Sequence, residues 1–173
     1  ENTNPTGFYT DLQFELGRLH QEGANLPHNP AAAAACYRKA AELGHARAQA
    51  ILGQMHLHGE LKPADLNKAF KWLSAASRSG DAEGQLTLGM MYALGKGAEP
   101  NLIRANQWVT LAAEQGHPQA VQARDQLATK LTSAERAESE KLIKEWQDQQ
   151  TKPAAPTPKP APKPSEPEKT VKK

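Results

Sequence analysis

The sequence predicts an all-α fold: an α/α solenoid of three 36-residue helix pairs followed by a C-terminal capping helix pair. Three observations carry this. The chain repeats itself at a spacing of 36 residues without insertion or deletion, so Leu16-Gly17, Leu52-Gly53 and Leu88-Gly89 superpose, as do Ala33, Ala69 and Ala105, and Gly44, Gly80 and Gly116. An internal period of this length marks stacked helical units. Asn29, Asp65 and Asn101 share a second slot, and His45, Asp81 and His117 a third. Each stands where a helix would begin and its free N–H groups would need an acceptor. Between the caps, apolar residues recur at helical spacing, beginning with Leu12, Leu16 and Leu19.

Residues 1–9 carry Asn, Thr, Pro and Gly with no apolar period and read as a flexible lead. Thr10 or Asp11 then caps a first helix over 11–22, which Gly23 ends. Asn29 caps the next, with Pro30 at its first position, where the missing N–H costs nothing. That helix is alanine-rich and stops at Gly44. The second unit has helices over 46–58 and 66–79, and the third over 82–94 and 102–115. The repeats therefore span about 10–44, 45–80 and 81–116, inside a solenoid of 10–149.

The pair over 117–149 breaks the pattern, because Arg124-Asp125 replace Leu-Gly. Thr132 to Glu135 reads as a capping box. It opens a charged helix whose main apolar contacts are Leu142, Ile143 and Trp146. A repeat array needs such an end, with one covering face and a polar outside. From residue 150 the chain becomes a Pro/Lys-rich tail with seven of the 13 prolines, expected to be disordered and rich in polyproline II.

The tail also accounts for the basic balance. It holds six lysines and two glutamates, so the first 149 residues are net −2 although the whole chain is +2. A nucleic-acid-binding domain would concentrate its cations on the folded body, so no nucleic-acid partner is expected. No apolar run approaches the roughly 20 residues of a membrane span. Cys36 is the single cysteine and falls in the slot of Trp72 and Trp108, so it reads as a buried thiol, with an interchain bridge or a reactive thiol as the alternative. A start at Glu1 fits either a processed secreted chain or a trimmed one.

The Leu-Gly pair, a glycine six residues on, a cap, then Ala, Trp and a closing Gly resemble the Sel1-like repeat family. Leu52-Gly53, Gly59, Asp65, Ala69, Trp72, Ala76 and Gly80 carry the resemblance. So do Leu88-Gly89, Tyr92, Gly95, Gly97, Asn101, Ala105, Trp108 and Gly116. The tetratricopeptide repeat, with its period of 34, is the nearest competitor. The first copy departs from the pattern, with His20 for Tyr, Asn25 for the second Gly and Cys36 for Trp, and the second copy has Leu61 for the second Gly. The resemblance implies a right-handed superhelix and an adaptor or scaffold role in assemblies and signalling. It further implies a bacterial, envelope-associated setting, and so favours a periplasmic chain over a cytoplasmic one.

No arrangement of residues points to catalysis, a metal or a cofactor. His56 and His58 are two apart and face different sides of a helix. No paired cysteines or P-loop appear. Trp72 and Trp108 read as core, and His20 and His56 as packed side chains.

By analogy with tetratricopeptide repeats, the first helices line a concave groove for a peptide or partner protein. Its expected lining is Phe14, Arg18 and Gln21, then Arg47, Gln54, Leu57 and His58, then Glu83, Leu86, Met90 and Leu94. Leu86, Met90 and Leu94 form one i, i+4, i+8 stripe, which is either a docking strip or core beneath the cap. The alternative function is an envelope-structural one, in which the Lys/Pro tail makes weak contact with an anionic surface such as cell-wall polymer or lipid headgroups. An enzyme is the third and least supported class.

Overall fold

Eight helices follow one another in the computed structural model, which describes residues 5–23 and 27–151. They are α1 (Pro5–Glu22), α2 (Pro30–Glu42), α3 (Ala46–His58), α4 (Leu66–Arg78), α5 (Ala82–Leu94), α6 (Leu102–Glu114), α7 (Pro118–Ala128) and α8 (Ser133–Thr151). The lead and tail readings for residues 1–4 and 152–173, and Asn25, lie outside the described residues.

Caps start the helices at the predicted slots. Asn29, Asp65 and Asn101 each accept from the backbone N–H three residues on, at 2.9–3.0 Å. His45 does the same through Nδ1 and Asp81 through its carboxylate. His117 occupies its cap slot without a side-chain cap bond. The start of α1 is a correction. Residues 5–9 are helical rather than a lead, and Thr10 and Asp11 lie inside the helix, where Thr10 Oγ1 donates to the Thr6 carbonyl at 2.7 Å. A proline needs no N–H partner in a first helical turn, so Pro5 can begin the helix.

Within each unit the two helices approach through a glycine. A Cβ on Gly17 would lie 2.8 Å from the Tyr37 ring, on Gly53 2.6 Å from Leu73, and on Gly89 2.5 Å from Val109 and 3.0 Å from the Ala105 carbonyl. Tyr37, Leu73 and Val109 are themselves 36 residues apart and fully buried, as are Ala33, Ala69 and Ala105. Glycine thus clears the space in which the second helix seats its central side chain. The closing glycines have a different role: Gly44, Gly80 and Gly116 have φ of +91, +86 and +82° with open space around them, so backbone freedom alone selects them.

Successive units are joined by apolar packing and by a repeated polar tie. Gln49 Nε2 donates to the Ala41 carbonyl at 2.9 Å, and Gln85 Nε2 to the Ser77 carbonyl at 3.2 Å. Each buried amide adds a second donor to a carbonyl at the end of the preceding helix, which already accepts from the closing glycine N–H (Gly44 to Ala41, Gly80 to Ser77). Trp108 is buried, whereas Trp72 is half-buried against the first core cluster. Cys36 is buried and free.

The terminal pair covers the array in a way its spacing does not foresee. Thr132 and Glu135 form the predicted capping box: Thr132 N donates to Glu135 Oε2 at 2.8 Å, and Glu135 N to Thr132 Oγ1 at 3.3 Å. But α8 lies over α6 rather than beside α7. Asn106 Nδ2 donates to Ser139 Oγ at 2.9 Å, and Ile143 joins Leu73, Leu88, Trp108 and Leu111 in one cluster. Trp146 meets Trp108 edge to face, ring centres 6.3 Å apart. Gln150 Nε2 reaches the Arg78 carbonyl at 3.2 Å. Helix α7 buries only Ala120 and Leu127, so it offers α8 less apolar surface than the hollow beside Trp108.

Gly89→Ala tests the close approach. The clash with Val109 is expected to cost about 1–3 kcal/mol, as overpacking does, partly offset by the roughly 1 kcal/mol alanine gains over glycine in a helix. Urea unfolding of Gly89→Ala, Val109→Ala and the double variant should be non-additive, with Val109→Ala costing less when a methyl added at position 89 needs the room.

Candidate functional site

Of the first helices, α3 packs directly against α5, while the second helices of the same two units, α4 and α6, do not pack on each other to that extent. A row of helices that is closer on one side than the other curves toward the closer side. The face of α1, α3, α5 and α7 is therefore the inner one, and it is the candidate site.

Two rows of side chains cross this face at the 36-residue spacing. One is Arg18, Gln54, Met90 and Gln126; the other is Glu22, His58, Leu94 and Lys130. The face changes character along the array. At α1, Arg18 is exposed and bridges Glu15 at 2.9 Å and Glu22 at 2.7 Å. The hydrogen bonds it donates to Glu22 and Glu15 raise its already high pKa, so the guanidinium stays charged. At α5, Met90 is 40% and Leu94 59% exposed, although both are large and apolar. They border a hollow of about 130 Å³ between α5 and α7, with Leu102, Ala123, Gln126 and Lys130 on its walls.

The stripe of Leu86, Met90 and Leu94 is thus split. Leu86 is a correction to the expected groove: it is buried with Val109, Ala112, Ala120 and Leu127. It shares its slot with Phe14 and Ala50, which face the next unit, and α7 shades that side of α5. Phe14 is half-buried, stacked on the His45 ring at 4.3 Å and tilted against Tyr37 at 5.8 Å, so it links units rather than lining an open surface. Leu57 is half-buried against the second core cluster. Gln21 is exposed and accepts from the Tyr37 hydroxyl at 2.7 Å. Burial first, and Glu22 second, push that hydroxyl up to about 12.

Gln54 and Glu83 are in the expected place but engaged with each other. Gln54 Nε2 donates to Glu83 Oε1 at 2.8 Å and lies 3.2 Å from Thr87 Oγ1. The other Glu83 oxygen meets His117 Nε2 at 3.1 Å, while the Nδ1 that would cap α7 is buried without a hydrogen-bond partner. Burial pushes the Glu83 carboxyl up, but the hydrogen bonds from His117 and Gln54 outweigh it and hold the group below its ordinary value. The same position recurs in each unit, and its partner is always the cap of the next first helix. Asp11 lies 3.9 Å from His45, Arg47 3.7 Å from Asp81, and Glu83 3.1 Å from His117.

The side chains left open to a partner are Arg18, Arg47, His58, Met90 and Leu94, of which Arg18 and Arg47 are already ion-paired at the surface. Gln126 and Lys130 were not among the expected lining. A shift of 36 residues from Met90 and Leu94 points to them, but the loss of Leu-Gly in the fourth unit hides the correspondence. Among the described residues no three His, Cys, Asp or Glu side chains gather as a metal site would require, and no helix is long and apolar enough to cross a membrane.

Three consecutive stretches, 10–45, 46–81 and 82–117, match the family model of the Sel1 repeat. Among solved structures, the crystal structure of a Sel1 repeat protein from Oxalobacter formigenes is 33% identical. The similarity covers 70% of this chain and 92% of that one, with a TM-score of 0.64. A protective antigen present in uropathogenic Escherichia coli strains, displaying an SLR fold, is similar in fold with a TM-score of 0.55 and 22% identity. That similarity covers 87% of this chain and 44% of the antigen. No curated protein matches.

Glu83 makes acid a probe of the ties between units. Its folded pKa lies below the reference 4.5, so its stabilising contribution is present above that value and is lost as pH falls through the folded pKa. Urea midpoints measured from about pH 7 to about pH 3 should fall less steeply below pH 4.5 for Glu83→Gln, which cannot titrate, than for the parent.

Proposed function

The chain belongs to the Sel1 repeat family, and on that premise we propose that it is a non-catalytic adaptor that holds a peptide or a partner protein on the face of α1, α3, α5 and α7. Sel1 repeats in general mediate protein–protein interaction. Stacked helix pairs suit this work because each adds a strip to one continuous surface, whose shape is set by rigid neighbours rather than by loops.

The observation that carries the reading is the pair Met90 and Leu94. Two large apolar side chains stay exposed beside a hollow, in two rows whose other members are Arg18, Glu22, Gln54, His58, Gln126 and Lys130. An unbranched thioether adapts to varied partner shapes. A leucine flanked by polar residues, here Lys130 and Gln126, has the layout of an interface centre with a polar rim. Arg18, paired but exposed at the surface, can trade its carboxylate partners for those of a ligand at little cost.

Affinity capture with the full chain, followed by mass spectrometry and titration with the retained partner, tests the reading. Met90→Glu with Leu94→Glu should keep the parent's helical circular dichroism, because both side chains are exposed, and should weaken the partner by tenfold or more. A partner held equally by the folded double variant overturns the assignment to this face. Equal binding by Arg18→Glu as well removes the face altogether.

A further inference from the structure

The opposite face carries a second cleft, and the repeat itself shows what such a cleft takes. Between α4 and α6 lies a hollow of about 300 Å³ walled by Ser74, Arg104, Gln107 and Trp108 and floored by Tyr92. Helix α8 is seated along it: Trp146 meets Trp108, and Glu145 lines the same hollow as Arg78 and Arg104. A shift of 36 residues toward the N-terminus turns Ser74, Tyr92, Arg104, Gln107 and Trp108 into Arg38, His56, Lys68, Lys71 and Trp72. Those five residues line a cleft of about 260 Å³ between α2 and α4, over which no described element lies.

The differences between the two clefts point in one direction. The filled one has Ser74, Arg104 and Gln107 where the open one has Arg38, Lys68 and Lys71, so three cations replace one. The Arg38 guanidinium forms no hydrogen bond or ion pair with another described residue. Lys68 has Asp65 at 3.0 Å, and Lys71 lies 5.9 Å from the centre of the Trp72 ring. His56 is 6% exposed and its buried Nδ1 has no hydrogen-bond partner in the structure. The burial of His56, and Lys68 next, lower its pKa. Its neutral ring therefore does not add a fourth charge, while keeping hydrogen-bonding capacity. Trp72 is half-buried where its counterpart Trp108 is buried under α8.

We propose that the cleft between α2 and α4 docks an acidic segment of a partner protein, seated as α8 is seated one unit later. A partner carboxylate lies among Arg38, Lys68 and Lys71, and a neighbouring apolar or aromatic side chain rests on Trp72. The helix next door is the template for this seating: Trp146 of α8 rests against Trp108, and Glu145 beside it lines the same hollow as Arg78 and Arg104, its own ion pair being with Lys141 at 3.8 Å. A protein segment fits better than a free phosphate because the cleft joins its cations to an aromatic wall. The site is separate from the inner face, so it stands or falls independently of the reading above.

The probe is a synthetic peptide of residues 133–151 carrying Lys141→Glu and Lys144→Glu, which keeps the seating residues of α8 and makes it more acidic. It is titrated into the ¹⁵N-labelled full chain. Saturable shifts of the Trp72 indole N–H are expected, weakened about fivefold or more by raising salt, since screening reaches exposed pairs. Arg38→Glu with Lys71→Glu, both at exposed positions, should weaken the peptide about tenfold, and Lys71→Gln by a smaller factor. Met90→Glu with Leu94→Glu should leave this binding unchanged, which separates its failure from that of the inner face. The proposal is overturned if the peptide leaves Trp72 unmoved, or if the folded charge variants bind it like the parent. It is also overturned if inorganic phosphate or phosphatidylglycerol vesicles move the same resonances at lower concentration than the peptide.

Discussion

The closeness of the two helices in each unit is the condition on which everything else rests. Gly17, Gly53 and Gly89 let Tyr37, Leu73 and Val109 sit directly on the backbone of the first helix, at distances where any side chain would collide. Fully buried alanines Ala33, Ala69 and Ala105 work to the same end from the second helix. Because the helices are so close, one unit is too thin to bury its own sides, and it must stack on the next. The apolar clusters accordingly run across units: Leu73 of α4, Leu88 of α5 and Trp108 of α6 belong to one cluster.

Stacking of this kind produces two unlike surfaces. On the inner side α3 packs against α5, and polar side chains of the first helices are drawn into pairs between units, as Gln54, Glu83 and His117 show. His58 and Leu94, one turn further along, project beyond those pairs, and Met90 stands unpaired in the slot that Gln54 fills one unit earlier. On the outer side the second helices diverge and leave clefts between them. One is closed by α8 through Ile143 and Trp146; its counterpart one unit earlier is open and cationic. The net charge of −2 on the first 149 residues hides this local excess, since it averages over both faces.

What could be read from the sequence follows from the range of the forces involved. Caps such as Asn29, Asp65 and Asn101 act on their own helix within three residues, and the glycines act at fixed slots, so both were legible together with the fold. The start of α1 was not, because nothing in residues 5–9 shows an apolar period, and a helix there follows from Pro5 and its neighbours rather than from burial. Leu86, Met90 and Leu94 share one stripe in the sequence, but α7 covers the first and not the other two, which only the placement of α7 decides. The seat of α8 depends on competition between two surfaces far apart in the chain. Gln49 and Gln85 were overlooked although Gln13 completes their slot, because a polar residue at a core position reads as a groove or surface residue until its carbonyl partner is seen.

The pairs between the first helices have a consequence for how such a chain can change. Asp11 faces His45, Arg47 faces Asp81, and Glu83 faces His117, so the polarity of the contact is not the same at each junction. The second unit presents a basic side chain at both ends, His45 and Arg47, and the third a carboxylate at both, Asp81 and Glu83, so each matches the other and not a copy of itself. If the second unit were deleted, Asp11 would face Asp81, two like charges; if it were duplicated, Arg47 would face a copy of His45. At about 1 kcal/mol or less per surface pair the penalty is small, but it falls on every copy in which the order is wrong. A chain built from near-identical modules therefore carries an address at each joint, and its units cannot be shuffled like beads.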